Sequence, residues 1–147
     1  MSIVKGLHAK LIAENVKSVM KKKGYSFFER GAFNVNIVGI RSSNGASNLF
    51  DDTILLVYKN KKKEWEVMSS LATTDPGEKY LLEPLNEKGT AILVPDQYTG
   101  VYQIDIHARN NSKFSHEALC QRGGKVKVWR DNNKDDALDH NEDSAGS

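Results

Sequence analysis

The sequence has little cysteine and proline and no long apolar run. Its one cysteine, Cys120, cannot form an internal disulfide or build a zinc site alone. Three prolines and 39% hydrophobic residues among 147 argue against wholesale disorder or a fibrous repeat. No segment approaches the roughly 18 apolar residues that span a bilayer, and the N-terminus lacks the features of a secretory signal. We therefore expect cytoplasmic synthesis and one domain with a single hydrophobic core.

The sequence also lacks a strong excess of either charge. It has 21 basic and 19 acidic residues, which give a formal net charge of +2. A charge this small does not require a polyanionic partner, so nucleic acid is not implied. The charges are unevenly placed, because lysines cluster at residues 21–23 and 59–63 whereas acidic residues are concentrated at 131–143. A basic body is therefore expected to carry an acidic tail.

Apolar residues between positions 2 and 23 recur at spacings of three and four, which is typical of an amphipathic helix. Gly24 is the expected terminator, and the lysines of residues 21–23 would complement the helix dipole in the last turn. From about residue 32 the period changes to two. Phe33, Val35 and Ile37 alternate with the residues between them and predict a half-buried strand.

Further apolar and β-branched runs follow, separated by glycine, asparagine and proline, and the lysine-rich residues 60–63 are typical of a hairpin turn. The sequence predicts a mainly β, α+β fold in which about seven short strands form a sandwich or barrel-like sheet. The expected organisation is an N-terminal amphipathic helix over residues 1–24, a β domain over 25–130, and an acidic polar tail or truncated loop over 131–147. The later strands are predicted at residues 53–59, 65–71, 90–95, 101–107, 117–121 and 125–130.

The polar tail carries oxygen-bearing side chains at the spacing of a calcium-binding loop. Position six of such a loop normally requires glycine for a sharp turn, and Asp136 stands there instead. A strand rather than a helix is also predicted to lead into it. A Ca²⁺ site and a solvated acidic loop therefore both remain open. The metal hypothesis uses positions one, three, five, nine and twelve, which are Asp131, Asn133, Asp135, Asp139 and Glu142.

A complete catalytic motif is missing from the sequence. Neither G-x-S-x-G nor H-E-x-x-H occurs, and the spacings of His107, His116 and His140 fit no zinc pattern. These histidines are expected to be structural or surface residues. Cys120 follows an alanine and a leucine, so we expect it to be buried in a strand. A Cys120–histidine pair with His107 or His116 would require the fold to bring the two together.

Several segments occur in the order and spacing of a known family. They are residues 36–41 (NIVGIR), 50–53 (FDDT), 73–77 (TTDPG), 84–86 (PLN) with 88–95 (KGTAILVP), 97–98 (QY) and 130–135 (RDNNKD). Together, across about residues 24 to 139, they resemble a family of peptidoglycan-active proteins from phages and prophages of Bacteroidetes-type bacteria. That family is distantly similar to L,D-transpeptidase catalytic domains.

The resemblance implies where the site should lie. In the family, the chain continues into a histidine-arginine pair and a serine-x-glycine-cysteine motif that supply the base and the thiol nucleophile. Neither motif is present in this sequence, so no catalytic residue is assigned and this chain is expected to be inactive as it stands. The resemblance places Arg41, Thr73, Thr74 and Asp75 near the substrate groove.

The function implied is the N-terminal, substrate-groove portion of an endolysin-like hydrolase or transpeptidase that acts on the peptide stems of peptidoglycan. The alternative is a non-catalytic cell-wall-binding or virion-associated structural module. The partner would be peptidoglycan or another phage protein, with no membrane span. After release, the expected location is the virion or the cell envelope.

Overall fold

The computed structural model describes residues 1–43, 47–133 and 144–146. The chain forms two compact units, Met1–Glu78 and Lys79–Ser147. The mainly β, α+β class is confirmed, and the strands are distributed over sheets of four, three and two strands. The expectation of one hydrophobic core was wrong, because the described residues contain two separate core clusters. Among those residues, no helix has the length and apolarity needed to cross a membrane.

The first unit is a four-stranded antiparallel sheet with one long helix. Its strand order is β1-β4-β3-β2, so the two longest strands lie in the middle and are paired on both sides. A short helix, α2, begins at the end of this unit. The elements are β1 (Ser2–Lys5), α1 (Gly6–Lys22), β2 (Asn36–Ile40), β3 (Asp52–Lys59), β4 (Trp65–Ala72) and α2 (Glu78–Leu82).

The N-terminal helix begins later than predicted, because residues 2–5 form a strand that pairs with β4. Lys5 is extended, and Gly6, with a φ of +66°, makes the turn into α1 that a residue with a side chain rarely adopts. The predicted end is confirmed: α1 ends at Lys22, and Gly24 follows with a φ of +75°. The apolar residues before Gly6 therefore belong to the sheet.

Small residues let α1 lie close to the sheet. Ala9 and Ala13 are fully buried and pack on Val57 of β3 and Val67 of β4. This contact excludes water from the centre of the unit, which is the main favourable term in folding. Half-buried side chains surround the cluster, namely Val4, Ile12, Val16, Phe27, Leu55 and Trp65.

The strand predicted from residue 32 begins later than expected, and the face that carries Phe33 and Ile37 is not the buried one. Strand β2 begins only at Asn36, which is 4% exposed, whereas Phe33 is 52% exposed. The Asn36 side chain accepts a hydrogen bond from the Phe28 amide at 2.7 Å and donates to the carbonyl oxygens of Phe28 and Val57 at 2.8 and 3.1 Å. An asparagine is buried here because main-chain groups of the neighbouring loop need partners.

The hairpin predicted at residues 60–63 is confirmed. It joins β3 to β4, and its ends are closed by a hydrogen bond from the Asn60 amide to the Glu64 carbonyl at 2.9 Å. Lys63 takes the left-handed conformation, with a φ of +64°. The turn therefore presents several lysines on a defined backbone.

The second unit contains a three-stranded and a two-stranded antiparallel sheet, with strand orders β5-β8-β9 and β6-β7. Its core cluster is Val101, Val126 and Val128, with Leu93 and Tyr98 packed against it. The predicted polar tail contributes β9, which pairs with β8, while residues 134–143 and 147 lie outside the described residues. The elements are β5 (Thr90–Leu93), β6 (Tyr102–His107), β7 (His116–Gln121), β8 (Lys127–Asp131) and β9 (Ser144–Gly146).

We predict that Asn36→Ala lowers the free energy of unfolding by about 2 kcal/mol, because it leaves buried main-chain groups of Phe28 and Val57 without partners. The matched control is Asn34→Ala, which removes an exposed side chain with one bond of 3.3 Å to the Arg30 carbonyl. We expect it to change stability by less than about 0.5 kcal/mol. Urea denaturation followed by circular dichroism measures both. Equal effects would contradict the buried role of Asn36.

Candidate functional site

The sheet of the first unit brings three chain segments to one edge. Ile40 at the end of β2 is opposite Thr53 near the start of β3, and Thr53 is opposite Leu71 near the end of β4. The loops that leave β2 and β4 therefore emerge next to each other, on either side of the start of β3. This topology is what brings Arg41 close to residues 73–75.

Asp52, the first residue of β3, is fully buried at this edge. Its Oδ1 accepts a hydrogen bond from the Ser42 amide at 2.7 Å. Its Oδ2 accepts from both the amide and the hydroxyl of Thr74, each at 2.6 Å. One carboxylate thus fixes the loop after β2 and the loop after β4 at the same time.

Arg41, in the loop after β2, also bonds to the loop after β4. Its Nε donates to Thr74 Oγ1 at 2.8 Å, and its Nη2 lies 3.4 Å from the Thr74 carbonyl oxygen. Arg41 Nε is also 3.7 Å from Asp75 Oδ1, and the two side chains are only 20% and 8% exposed. The ion pair is therefore largely shielded from water, which strengthens it relative to a surface pair.

Thr73 and Asp75 complete the arrangement. Thr73 Oγ1 donates to the Asp75 carbonyl oxygen at 3.2 Å and lies 3.3 Å from the Asp75 amide. This contact tightens the turn before Pro76 and holds Asp75 towards Arg41. We call the six residues Arg41, Ser42, Asp52, Thr73, Thr74 and Asp75 the Asp52 network.

The network keeps Asp52 ionised. The Thr74 hydroxyl is the main cause of a lowered Asp52 pKa, and the Ser42 amide, the Thr74 amide and the charge of Arg41 act in the same direction, against the opposing effect of burial. Because both carboxylate oxygens already accept hydrogen bonds from these loops, Asp52 organises the site and is a poor candidate for a general base. Arg41, whose side chain is 20% exposed, carries the positive charge of the network and is the member suited to contact a carboxylate.

The structure brings together all four groove residues that the sequence analysis named, Arg41, Thr73, Thr74 and Asp75. Their role in binding a substrate stays a prediction. Sequence reasoning missed Asp52 as a member of the site. The sequence did contain a signal for this role, namely an acidic residue directly before the apolar strand at residues 53–59. A carboxylate buried at such a position needs several hydrogen-bond donors.

The calcium hypothesis stays a prediction. Asp131 and Asn133 are described, whereas Asp135, Asp139 and Glu142 lie outside the described residues. Asp131 ends β8 and is 1% exposed. Over residues 1–43, 47–133 and 144–146, no three histidine, cysteine or acidic side chains are grouped as metal ligands.

The fold does not bring Cys120 together with His107 or His116. Cys120 is buried in β7, as predicted, and its Sγ lies 3.8 Å from the Asp105 carbonyl oxygen. His116 begins the same strand and His107 is opposite it. Cys120 is four positions along β7 from His116, a distance of about 13 Å, and His107 lies at the same end of the hairpin as His116. Both histidines lie at the surface, as expected, and His140 is outside the described residues.

Comparisons of the chain with family models, curated proteins and solved structures gave no match. Membership of the phage peptidoglycan-active family therefore rests on the segments quoted in the sequence analysis and stays a prediction.

We predict that acid weakens the first unit through Asp52. Folding lowers the Asp52 pKa. The ionised Asp52 carboxylate therefore contributes its full stabilisation at pH values above the unfolded-state pKa of about 3.9, and this stabilisation is lost as the pH falls through the lower pKa of the folded state. Asp52→Asn should cost about 2 kcal/mol at pH 7, because an amide cannot accept all of these bonds. The cost should shrink as the pH is lowered below 4, measured by urea denaturation across pH 2–7.

The neighbouring variant Asp51→Asn, which removes an exposed carboxylate, is the matched control and should change stability at pH 7 by less than about 0.5 kcal/mol. An Asp52→Asn penalty that is the same at pH 2 and pH 7 would show that the ionised carboxylate is not the source of the stability.

Proposed function

We propose that this chain is the substrate-groove portion of a phage-type enzyme that acts on the peptide stems of peptidoglycan. The observation that carries the proposal is the meeting of three family-like segments, residues 36–41, 50–53 and 73–77, at one edge of one sheet. They are joined there by the hydrogen bonds of the Asp52 network. Segments that share a function are expected to converge in space.

The chemistry of the Asp52 network suits a peptide stem. Such stems offer carboxylates and amides, and a guanidinium binds carboxylates through paired N–H donors. Arg41 is held by Thr74 and Asp75, so its orientation is fixed before a ligand arrives. A preorganised arginine loses little side-chain freedom on binding. We assign the binding of the stem carboxylate to Arg41 and the hydrogen bonding of stem amides to Thr73 and Asp75.

Catalysis in this proposal belongs to groups that the sequence does not contain. The family resemblance assigns the base to a histidine-arginine pair and the nucleophile to a serine-x-glycine-cysteine motif, and neither occurs in this sequence. Cys120 does not replace the nucleophile, because its thiol is buried against the Asp105 carbonyl oxygen rather than an imidazole. The role proposed for the present residues is substrate binding.

The burial of Cys120 also favours a second candidate, a non-catalytic cell-wall-binding or virion-associated module. This candidate needs no nucleophile, and its partner would be peptidoglycan or another phage protein. The two candidates differ in whether joining the chain to the family's histidine and Ser-x-Gly-Cys segments creates activity on stem crosslinks. A fusion that folds and binds but leaves every crosslink unchanged would favour the binding module.

We predict that the chain sediments with purified peptidoglycan sacculi without releasing soluble fragments. Arg41→Gln should weaken this binding about tenfold, because a charge-assisted contact contributes about 1.4 kcal/mol or more. Free stem peptide should compete for the wild-type protein. The measurement is the bound fraction as a function of the concentration of sacculi.

The matched control is Lys21→Gln, which removes one positive charge from an exposed residue of α1 in the same unit. It should bind like the wild type. Arg41→Lys keeps the charge but loses the planar donor pair, so it should bind nearly as weakly as Arg41→Gln. A wild-type protein that stays in the supernatant, or an Arg41→Gln variant that folds and binds normally, would overturn the assignment.

A further inference from the structure

A second polar site lies in the first unit, apart from the Asp52 network. An open cleft of about 340 Å³ is bounded by the loop before β2 and by the β3–β4 hairpin. This volume is within the range of small-molecule sites. We call it the basic cleft, and its lining residues are Glu29, Arg30, Gly31 and Ala32 on the loop and Lys59, Asn60, Lys61 and Lys63 on the hairpin.

Positive charge dominates the basic cleft. Arg30, Lys59, Lys61 and Lys63 contribute four cations, and Glu29 is the single carboxylate in the lining. That carboxylate is already bound by Lys17, whose Nζ lies 2.9 and 2.8 Å from its two oxygens. Positive charges held around one concave surface raise the positive electrostatic potential there, and this potential attracts anions.

The hairpin wall is ordered before any ligand binds. Asn60 Oδ1 accepts hydrogen bonds from the amides of Lys62 and Glu64 at 2.9 and 3.1 Å. The side-chain nitrogen of Asn60, Nδ2, donates to carboxylate oxygens of Glu64 and Glu66 at 3.3 and 3.1 Å. Asn60 therefore fixes the backbone that carries the lysines, which reduces the ordering cost of binding.

The two walls of the cleft are tied together. The Phe33 amide donates to the Lys59 carbonyl oxygen at 2.8 Å, and the rings of Phe33 and Tyr58 are 5.7 Å apart. Lys59 Nζ lies 4.8 Å from the centre of the Trp65 ring, which holds this ammonium group by a cation–π contact. The separation of the loop from the hairpin is thus fixed by packing and main-chain bonding.

We propose that the basic cleft binds a small ligand with clustered anionic oxygens, a phosphate ester or a polycarboxylate. The excess of cations, the paired state of Glu29 and the ordered hairpin all favour such a ligand. Phosphate and carboxylate groups are the partners that lysine and arginine donors recognise. The basic cleft shares no lining residue with the Asp52 network, so binding of this ligand is independent of peptidoglycan binding.

The experiment is a titration of the full chain with pyrophosphate and, separately, with citrate, followed by calorimetry and by amide chemical shifts. At least one of these probes should bind at 50 mM salt, with shifts centred on Gly31, Ala32 and residues 59–63. A response to pyrophosphate alone identifies a phosphate site, and a response to citrate alone a carboxylate site. Absence of binding by both probes at millimolar concentration would overturn the proposal.

Lys62 supplies a matched control, because it lies on the same hairpin as Lys63 and does not line the cleft. Lys63→Gln should weaken binding of the responding probe at least fivefold, and Lys61→Gln/Lys63→Gln more than twentyfold. Lys62→Gln should change it less than twofold. Equal losses in Lys62→Gln and Lys63→Gln would contradict a defined site, since they would show attraction to the charged surface in general.

Discussion

The buried carboxylate of Asp52 is the contact on which the candidate site depends. Its oxygens hold the amides of Ser42 and Thr74 and the hydroxyl of Thr74, so two loops that are distant in sequence share one anchor. A buried charge would be costly alone, and these donors together with Arg41 offset that cost. Without Asp52, the loop after β4 would lose the two hydrogen bonds that Thr74 donates to this carboxylate.

Arg41 and the basic cleft present positive charge in different ways. Arg41 is a single, mostly shielded guanidinium, fixed in a network whose anions are Asp52 and Asp75. The basic cleft instead gathers several cations around an open volume, with Lys17 pairing its one carboxylate. The first arrangement favours recognition of one oriented carboxylate, and the second favours a ligand with several negative oxygens.

Local features of the fold could be predicted from the sequence. Gly24 ends α1 because a glycine accepts the positive φ that follows the helix, and the hairpin at residues 60–63 has its own turn residues. Strand β1 could not be predicted, because its four residues fit the helical spacing and their pairing partner begins at Glu66. Tertiary pairing decided the structure of that segment.

Only part of the candidate site could be predicted, because tertiary contacts also determine which residues belong to it. The family-like segments indicated Arg41 and residues 73–75, and the antiparallel register of β2, β3 and β4 explains why they meet. The anchoring role of Asp52 depends on donors from two different loops, and no local pattern encodes that. The burial of Asn36 likewise depends on main-chain groups of Phe28, eight residues earlier. Polar residues buried by tertiary bonding interrupt the apolar alternation that sequence patterns follow.

Amide hydrogen exchange at Ser42 and Thr74 tests most directly whether Asp52 organises the site. Both amides donate to this carboxylate. We expect both to be protected in the wild type and to lose protection together in Asp52→Asn, while the amide of the core residue Val57 keeps its own. Unchanged exchange at Ser42 and Thr74 in a folded Asp52→Asn protein would contradict the account, because the two loops would then be held by other contacts.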